Sequence, residues 1–123
     1  MELPSSLQTD DLKQQHLVYQ LQKYIFDNRN FFGLDMERDN LFIALSTNRT
    51  ELSEAVRVVT GEQLMDCINR MLLNKARKML EEHPDLHVKT IAENCGFTYR
   101  DFNQLFREHF YFSPEKYRKS STR

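Results

Sequence analysis

Five side chains between positions 99 and 107, namely Tyr99, Arg100, Asn103, Gln104 and Arg107, fall at helical spacing on one polar face. Asn and Gln amides can bond adenine in bidentate fashion and Arg can do the same to guanine, so this set has the chemistry to read base edges in a major groove. A second set, Arg49, Thr50, Ser53, Glu54 and Arg57, is placed in the same way earlier in the chain. It is less well suited. Arg can pair with guanine, and Ser and Thr can contact base or phosphate, but Glu accepts only from cytosine and is unfavourable beside phosphates. Arg118 and Lys119, and on a more central stretch Arg70 and Lys75, offer cations for phosphate contacts. Each set also matches an ordinary solvated helix face, and side-chain type alone leaves both readings open.

Other chemistries find little support. His83 and His87 are four apart, but Pro84 between them breaks the helix that would align two metal ligands. No phosphate loop, nucleophile elbow or paired-carboxylate signature occurs, so no enzyme activity, metal or cofactor is expected. Cys67 and Cys95 sit among apolar residues without a partner at metal-site spacing and read as buried thiols in a reducing compartment. No apolar run approaches the roughly 20 residues needed to cross a bilayer, and residues 1–11 lack the regions of a signal peptide. A cytoplasmic chain without membrane contact is expected.

The elements that position these side chains are helices. Three Gly and three Pro in 123 residues are too few for a sandwich or barrel, while nine Phe and five Tyr supply the apolar surface of a small helical core. A polar start precedes a helix over about 12–28 with Leu17, Leu21, Tyr24 and Ile25 on one face. Asn28-Arg29-Asn30 ends it, and Phe31, Phe32, Leu34 and Met36 form an apolar connector. A short helix over about 37–45 presents Leu41, Phe42 and Leu45 inward. Asn48 is suited to cap the next helix, which carries Leu52, Ala55, Val56 and Val59 inward and stops at Gly61.

From about 62 to 82 the positions Leu64, Ile68, Met71, Leu72, Ala76, Met79 and Leu80 describe one long amphipathic helix, stopped at Pro84. Val88, Ile91, Ala92 and Cys95 mark a short helix ending at Gly96. Phe102, Leu105, Phe106 and Phe110 form the inner side of another from Tyr99, and Ser113-Pro114 starts a last one through Tyr117. The same unit, a short helix, a tight turn and a second helix, thus occurs at about 37–60 and again at about 87–110. Net charge is −1, but it runs from −3 over residues 1–40 through −1 over 41–85 to +3 over 86–123. The fold expected is all-α, with two helix-turn-helix units on one linker helix. Such units present the second helix to a major groove.

The residues that carry this pattern resemble a known family. Ile91-Ala92, Cys95-Gly96-Phe97, Phe102, Phe106-Arg107, Ser113-Pro114 and Tyr117-Arg118 follow the signature of the AraC/XylS-type transcription regulators, in their C-terminal DNA-binding domain. Upstream, residues 45–52 (LSTNRTEL), Gly61, Ile68-Asn69 and Ala76 look like the first unit and linker of a variant found in hybrid sensor-regulators of Bacteroidetes-type bacteria. The resemblance covers about residues 36–119. It implies three homeodomain-like helices per unit, a first unit over 36–61, a linker helix over 62–83 and a second unit over 87–119. Residues 1–35 would then be a polar segment with a leading helix, and 120–123 a tail.

The implied function is sequence-specific binding of double-stranded DNA by two recognition helices in adjacent major grooves, within a two-component or other sensor-regulator whose sensor or dimerisation domain is absent from this chain. Arg49, Thr50, Ser53, Arg57, Tyr99, Arg100, Asn103, Gln104, Arg107, Arg118 and Lys119 would contact the duplex. The alternative is a helical protein-interaction module that keeps the scaffold but not DNA binding, with Glu51 and Glu54 toward a partner. The chain departs from the family pattern in four places. Leu72 replaces a basic residue, Phe42 a small one and Tyr111 a glycine, and Phe97 to Phe102 is one residue short. At Tyr111 either a bulky residue takes a positive φ or the helix end is built differently.

Overall fold

Three helices start where a side chain replaces a backbone partner that the first turn lacks. Asn48 Oδ1 accepts from the Glu51 N–H at 2.8 Å, Thr98 Oγ1 from Asp101 N–H at 3.1 Å, and Ser113 Oγ from Lys116 N–H at 3.1 Å. Pro114 follows Ser113 as the first helical residue, where a missing N–H costs nothing. A computed structural model describes the backbone of residues 5–27 and 38–121 and the side chains of 11–27 and 41–120. The Asn28-Arg29-Asn30 stop, the apolar connector and the ends of the chain lie outside the described residues.

Within them the chain is all-α, as expected: α1 (Ser5–Phe26), α2 (Arg38–Ala44), α3 (Arg49–Thr60), α4 (Leu64–Glu82), α5 (Val88–Asn94), α6 (Tyr99–Phe110) and α7 (Pro114–Ser121). Helix α1 begins well before the expected position 12. Its first turns lack apolar periodicity, but no Gly or Pro interrupts them, and a helix once nucleated propagates. Val18, Leu21 and Ile25 bury its inner face, and α1 packs on both α3 and α4.

Helix α4 is the shared spine. α1, and α3 of the first unit, pack on it from one end of the chain, and α5, α6 and α7 of the second unit from the other. Leu64, Cys67, Ile68, Met71, Leu72 and Lys75 are buried on one arc, and Leu73, Ala76 and Leu80 on another further round. Together they cover about two-thirds of the helix circumference, more than one packing partner requires. Leu72, where the family pattern has a basic residue, is 3% exposed. Lys75 is also buried, at 6%, and donates from Nζ to the Asp27 carbonyl at 3.5 Å. Burial pushes its pKa down. Its place inside this arc overturns the expectation that it meets phosphate.

The second unit is stitched by aromatic rings. Phe102 and Phe106 are fully buried with centroids 5.4 Å apart, and Phe97, Phe110 and Tyr117 extend the stack. Val59, expected inside, is instead 39% exposed beside Val58. It lies in the last turn of α3, just before the chain reverses at Gly61. Cys67 and Cys95 are buried free thiols, and burial holds the Cys95 pKa up at about 11. No described helix is long and apolar enough to cross a membrane.

Candidate nucleic-acid interface

The two units share one backbone plan, offset by fifty positions. In the first turn Thr47 N–H donates to Phe42 O at 2.9 Å, and in the second Phe97 N–H donates to Ala92 O at 2.9 Å. Ser46 (φ 53) and Gly96 (φ 85) supply the positive φ at matching places. The turn before Phe102 is therefore the same length as its counterpart before Leu52, and α6 starts in the register that α3 shows. Leu52 and Val56 point into the core of the first unit as Phe102 and Phe106 do in the second. The outward positions correspond as well. Thr50, Ser53, Glu54 and Arg57 match Arg100, Asn103, Gln104 and Arg107.

Arg49, Thr50, Glu54 and Arg57 are exposed on α3, and Ser53 is half-buried beside them. Glu54 and Arg57 form an exposed ion pair at 2.5 Å, and Thr47 Oγ1 donates to Glu51 Oε1 at 2.6 Å. This face carries nearly balanced charge, with its one paired arginine drawn toward a carboxylate.

On α6, Arg100, Gln104 and Arg107 are exposed in one line. Gln104 Nε2 donates to Glu108 Oε1 at 3.2 Å. Asn103 is half-buried, and its Oδ1 is buried with no hydrogen-bond partner. Tyr99, at the start of the helix, donates its hydroxyl to Glu115 Oε1 on α7. That bond to the carboxylate raises the Tyr99 pKa and fixes the ring between the two helices.

The basic candidates separate. Lys119 is exposed and lines an open cleft with Lys89, Thr90 and Tyr99. Arg118 lies at the same cleft, but its guanidinium donates to Leu80 O at 3.4 Å, His83 O at 3.1 Å and Leu86 O at 2.5 Å. These are carbonyls at the end of α4 and in the turn after it, so Arg118 clamps α7 onto that turn. Arg70 pairs with Glu62 through three contacts of 2.9–3.1 Å, which hold the Glu62 carboxyl below its usual pKa. Among the described residues no group of three or more His, Cys, Asp or Glu is placed to hold a metal. Lys89 escaped the sequence reading because only the fold brings α5 and α7 to line the same cleft.

A model of the helix-turn-helix domain family matches residues 42–120. No curated protein matches the chain. Among solved structures, the chain is similar to the C-terminal domain of AraT, a response regulator from Geobacillus stearothermophilus, with TM-score 0.66 and 23% identity over 85% of this chain and 84% of that one. It is similar to a transcriptional regulator of Chromobacterium violaceum with an AraC-type DNA-binding domain, with TM-score 0.69 and 18% identity over 98% of each chain. It also resembles the xylose-binding transcription activator xylR, with TM-score 0.67 and 22% identity over 87% of this chain and 27% of that one. With identities this low the structures speak for the fold, and the family model speaks for descent. The chain belongs to the AraC-type helix-turn-helix family, the DNA-binding domains of transcription regulators.

Proposed function

We propose that this chain is a sequence-specific, non-enzymatic DNA reader in which α6 and α3 enter adjacent major grooves on one side of a duplex. The observation that carries this reading is the fifty-residue repeat. Two second helices, equally capped and both packed on α4, each turn a polar face outward. Tyr99, Arg100, Asn103, Gln104 and Arg107 make α6 the principal reader, because amides and guanidiniums can pair with adenine and guanine in two-point fashion. Arg49, Thr50, Ser53 and Arg57 on α3 contribute less, since Glu54 offsets Arg57 and faces phosphates unfavourably. Lys119, with Lys89 beside it, contacts the backbone. Arg118 reaches phosphate only at the expense of its carbonyl contacts.

The chain works in the cytoplasm as part of a larger regulator, with a sensor or dimerisation domain supplying the signal. The description of AraT as a response regulator, and of xylR as a xylose-binding activator much longer than this chain, supports that setting. The net charge of −1 predicts weak binding of the isolated chain to random duplex, about micromolar at physiological salt. Selection of bound sites from random DNA, followed by hydroxyl-radical footprinting, tests the proposal. Two protected patches about one helical turn apart are expected. A single patch would mean that one helix alone reads the duplex, and no enriched sequence would favour a protein-interaction module instead.

A further inference from the structure

Tyr111 stands where Gly61 stands in the first unit, yet it is a tyrosine, in the left-handed conformation (φ 69), with 86% of its surface exposed. Packing does not account for the residue, since the ring is almost wholly in solvent. Local backbone preference does not either, since glycine takes that conformation without steric cost. A strained residue with no packing role points to a role outside the fold.

Its position on α6 suggests which one. Tyr111 is the residue that caps α6, and at 3.6 residues per turn its Cα falls within about 40° of those of Arg100, Gln104 and Arg107 on the helix circumference, one turn beyond Arg107. It is about 16 Å along the axis from Arg100, more than the roughly 12 Å width of a major groove. A helix that enters the groove by its first turns and crosses it at an angle carries this residue toward the phosphate wall. The neighbouring surface is suited to that place. Phe112 is 48% exposed, and the Lys116 ammonium lies 5.7 Å from its ring centroid.

We propose that Tyr111 is a DNA-backbone contact specific to this chain, its ring against a deoxyribose and its hydroxyl donating to a phosphate oxygen. The inference rests on α6 being the reader, and it predicts a different signature. A backbone contact strengthens binding to every sequence, and an uncharged one releases no counterion.

The test compares the parent with Tyr111→Gly and Tyr111→Phe, titrated by fluorescence anisotropy against a selected duplex and a random one at several salt concentrations. Tyr111→Gly relieves the backbone and should melt higher by about 2–5 °C. It should bind both duplexes about three- to tenfold more weakly, the size of one hydrogen bond with its packing, at an unchanged salt slope and selected-to-random ratio. Tyr111→Phe should melt like the parent and lose about threefold on both duplexes, because only the hydroxyl is gone. Parent affinity of Tyr111→Gly for both duplexes would overturn the proposal, as would a loss confined to the selected one. The combined Arg100→Ala, Asn103→Ala, Gln104→Ala variant, run alongside, separates the two ideas. An intact ratio there removes α6 as the reader whatever Tyr111 does.

Discussion

Gly61 and Tyr111 end their helices in the same way, at φ 77, ψ 1 and φ 69, ψ 4, each donating its backbone N–H to the carbonyl four residues back, Arg57 O or Arg107 O. Glycine is the ordinary occupant of this conformation, and a residue with a Cβ costs about 1 kcal/mol more there. A Cβ at Gly61 would meet nothing within 4 Å, so the penalty at that site is purely conformational. Gly61→Ala should therefore lose about 1 kcal/mol. Tyr111→Gly should gain a similar amount, and in both variants the freedom that glycine gives the unfolded chain offsets part of the effect. Urea unfolding of the two variants checks the pair, and shifts of the same sign would contradict their equivalence.

Leu80 lies at 0% exposure on α4, the helix on which α5, α6 and α7 all pack. Leu80→Ala should cost about 2–5 kcal/mol, from lost transfer energy and the cavity left behind. An unchanged melting midpoint by circular dichroism would mean that the second unit does not depend on α4.

Arg118→Ala should lower stability by about 1–3 kcal/mol, since carbonyls at the end of α4 and in the turn after it lose a charged donor. A phosphate contact without a structural role would give the opposite result, with weaker DNA binding and an unmoved melting curve. Lys119→Ala is the matching control. It should leave the melt alone and reduce the salt slope of DNA binding by about one unit.

Glu62 gives a pH dependence with a definite sign. Its hydrogen bonds and charge contact with Arg70 lower its folded-state pKa, so the folded chain holds fewer protons than the unfolded one near that pH. The stabilisation is complete above the unfolded glutamate value of about 4.3 and is lost as pH falls through the lower folded value. Denaturant midpoints between pH 6 and pH 3 should fall less steeply for Glu62→Gln than for the parent. Parallel curves would show that the pair contributes nothing.

The parts of the fold governed by local chemistry were legible in the sequence. Asn48, Gly61 and Ser113-Pro114 mark helix ends by what their own atoms can bond. The spacing of Phe102, Phe106 and Phe110 fixes the inner side of α6 and, by exclusion, the outer one. Val59 was misread because its burial depends on how far α3 extends past its neighbours. Arg118 finds its carbonyls 32 to 38 positions away, a relationship with no local signature. Lys75 is a different case. It sits in the middle of the arc of Ile68, Met71 and Leu72, so helical spacing alone placed it inside, and its charge drew the reading outward. The repeat itself was visible as two similar units, but the matching of Tyr111 with Gly61 needed the dihedral angles.

The central claim is that α6 reads sequence through Arg100, Asn103 and Gln104. The most direct measurement is the ratio of affinities for a selected duplex and a scrambled one, before and after replacing all three by alanine. Each two-point base contact contributes about 1–3 kcal/mol of discrimination, so the ratio should fall at least about tenfold while affinity for the scrambled duplex changes far less. A ratio that survives the triple substitution would show that another surface reads the DNA, or that none does.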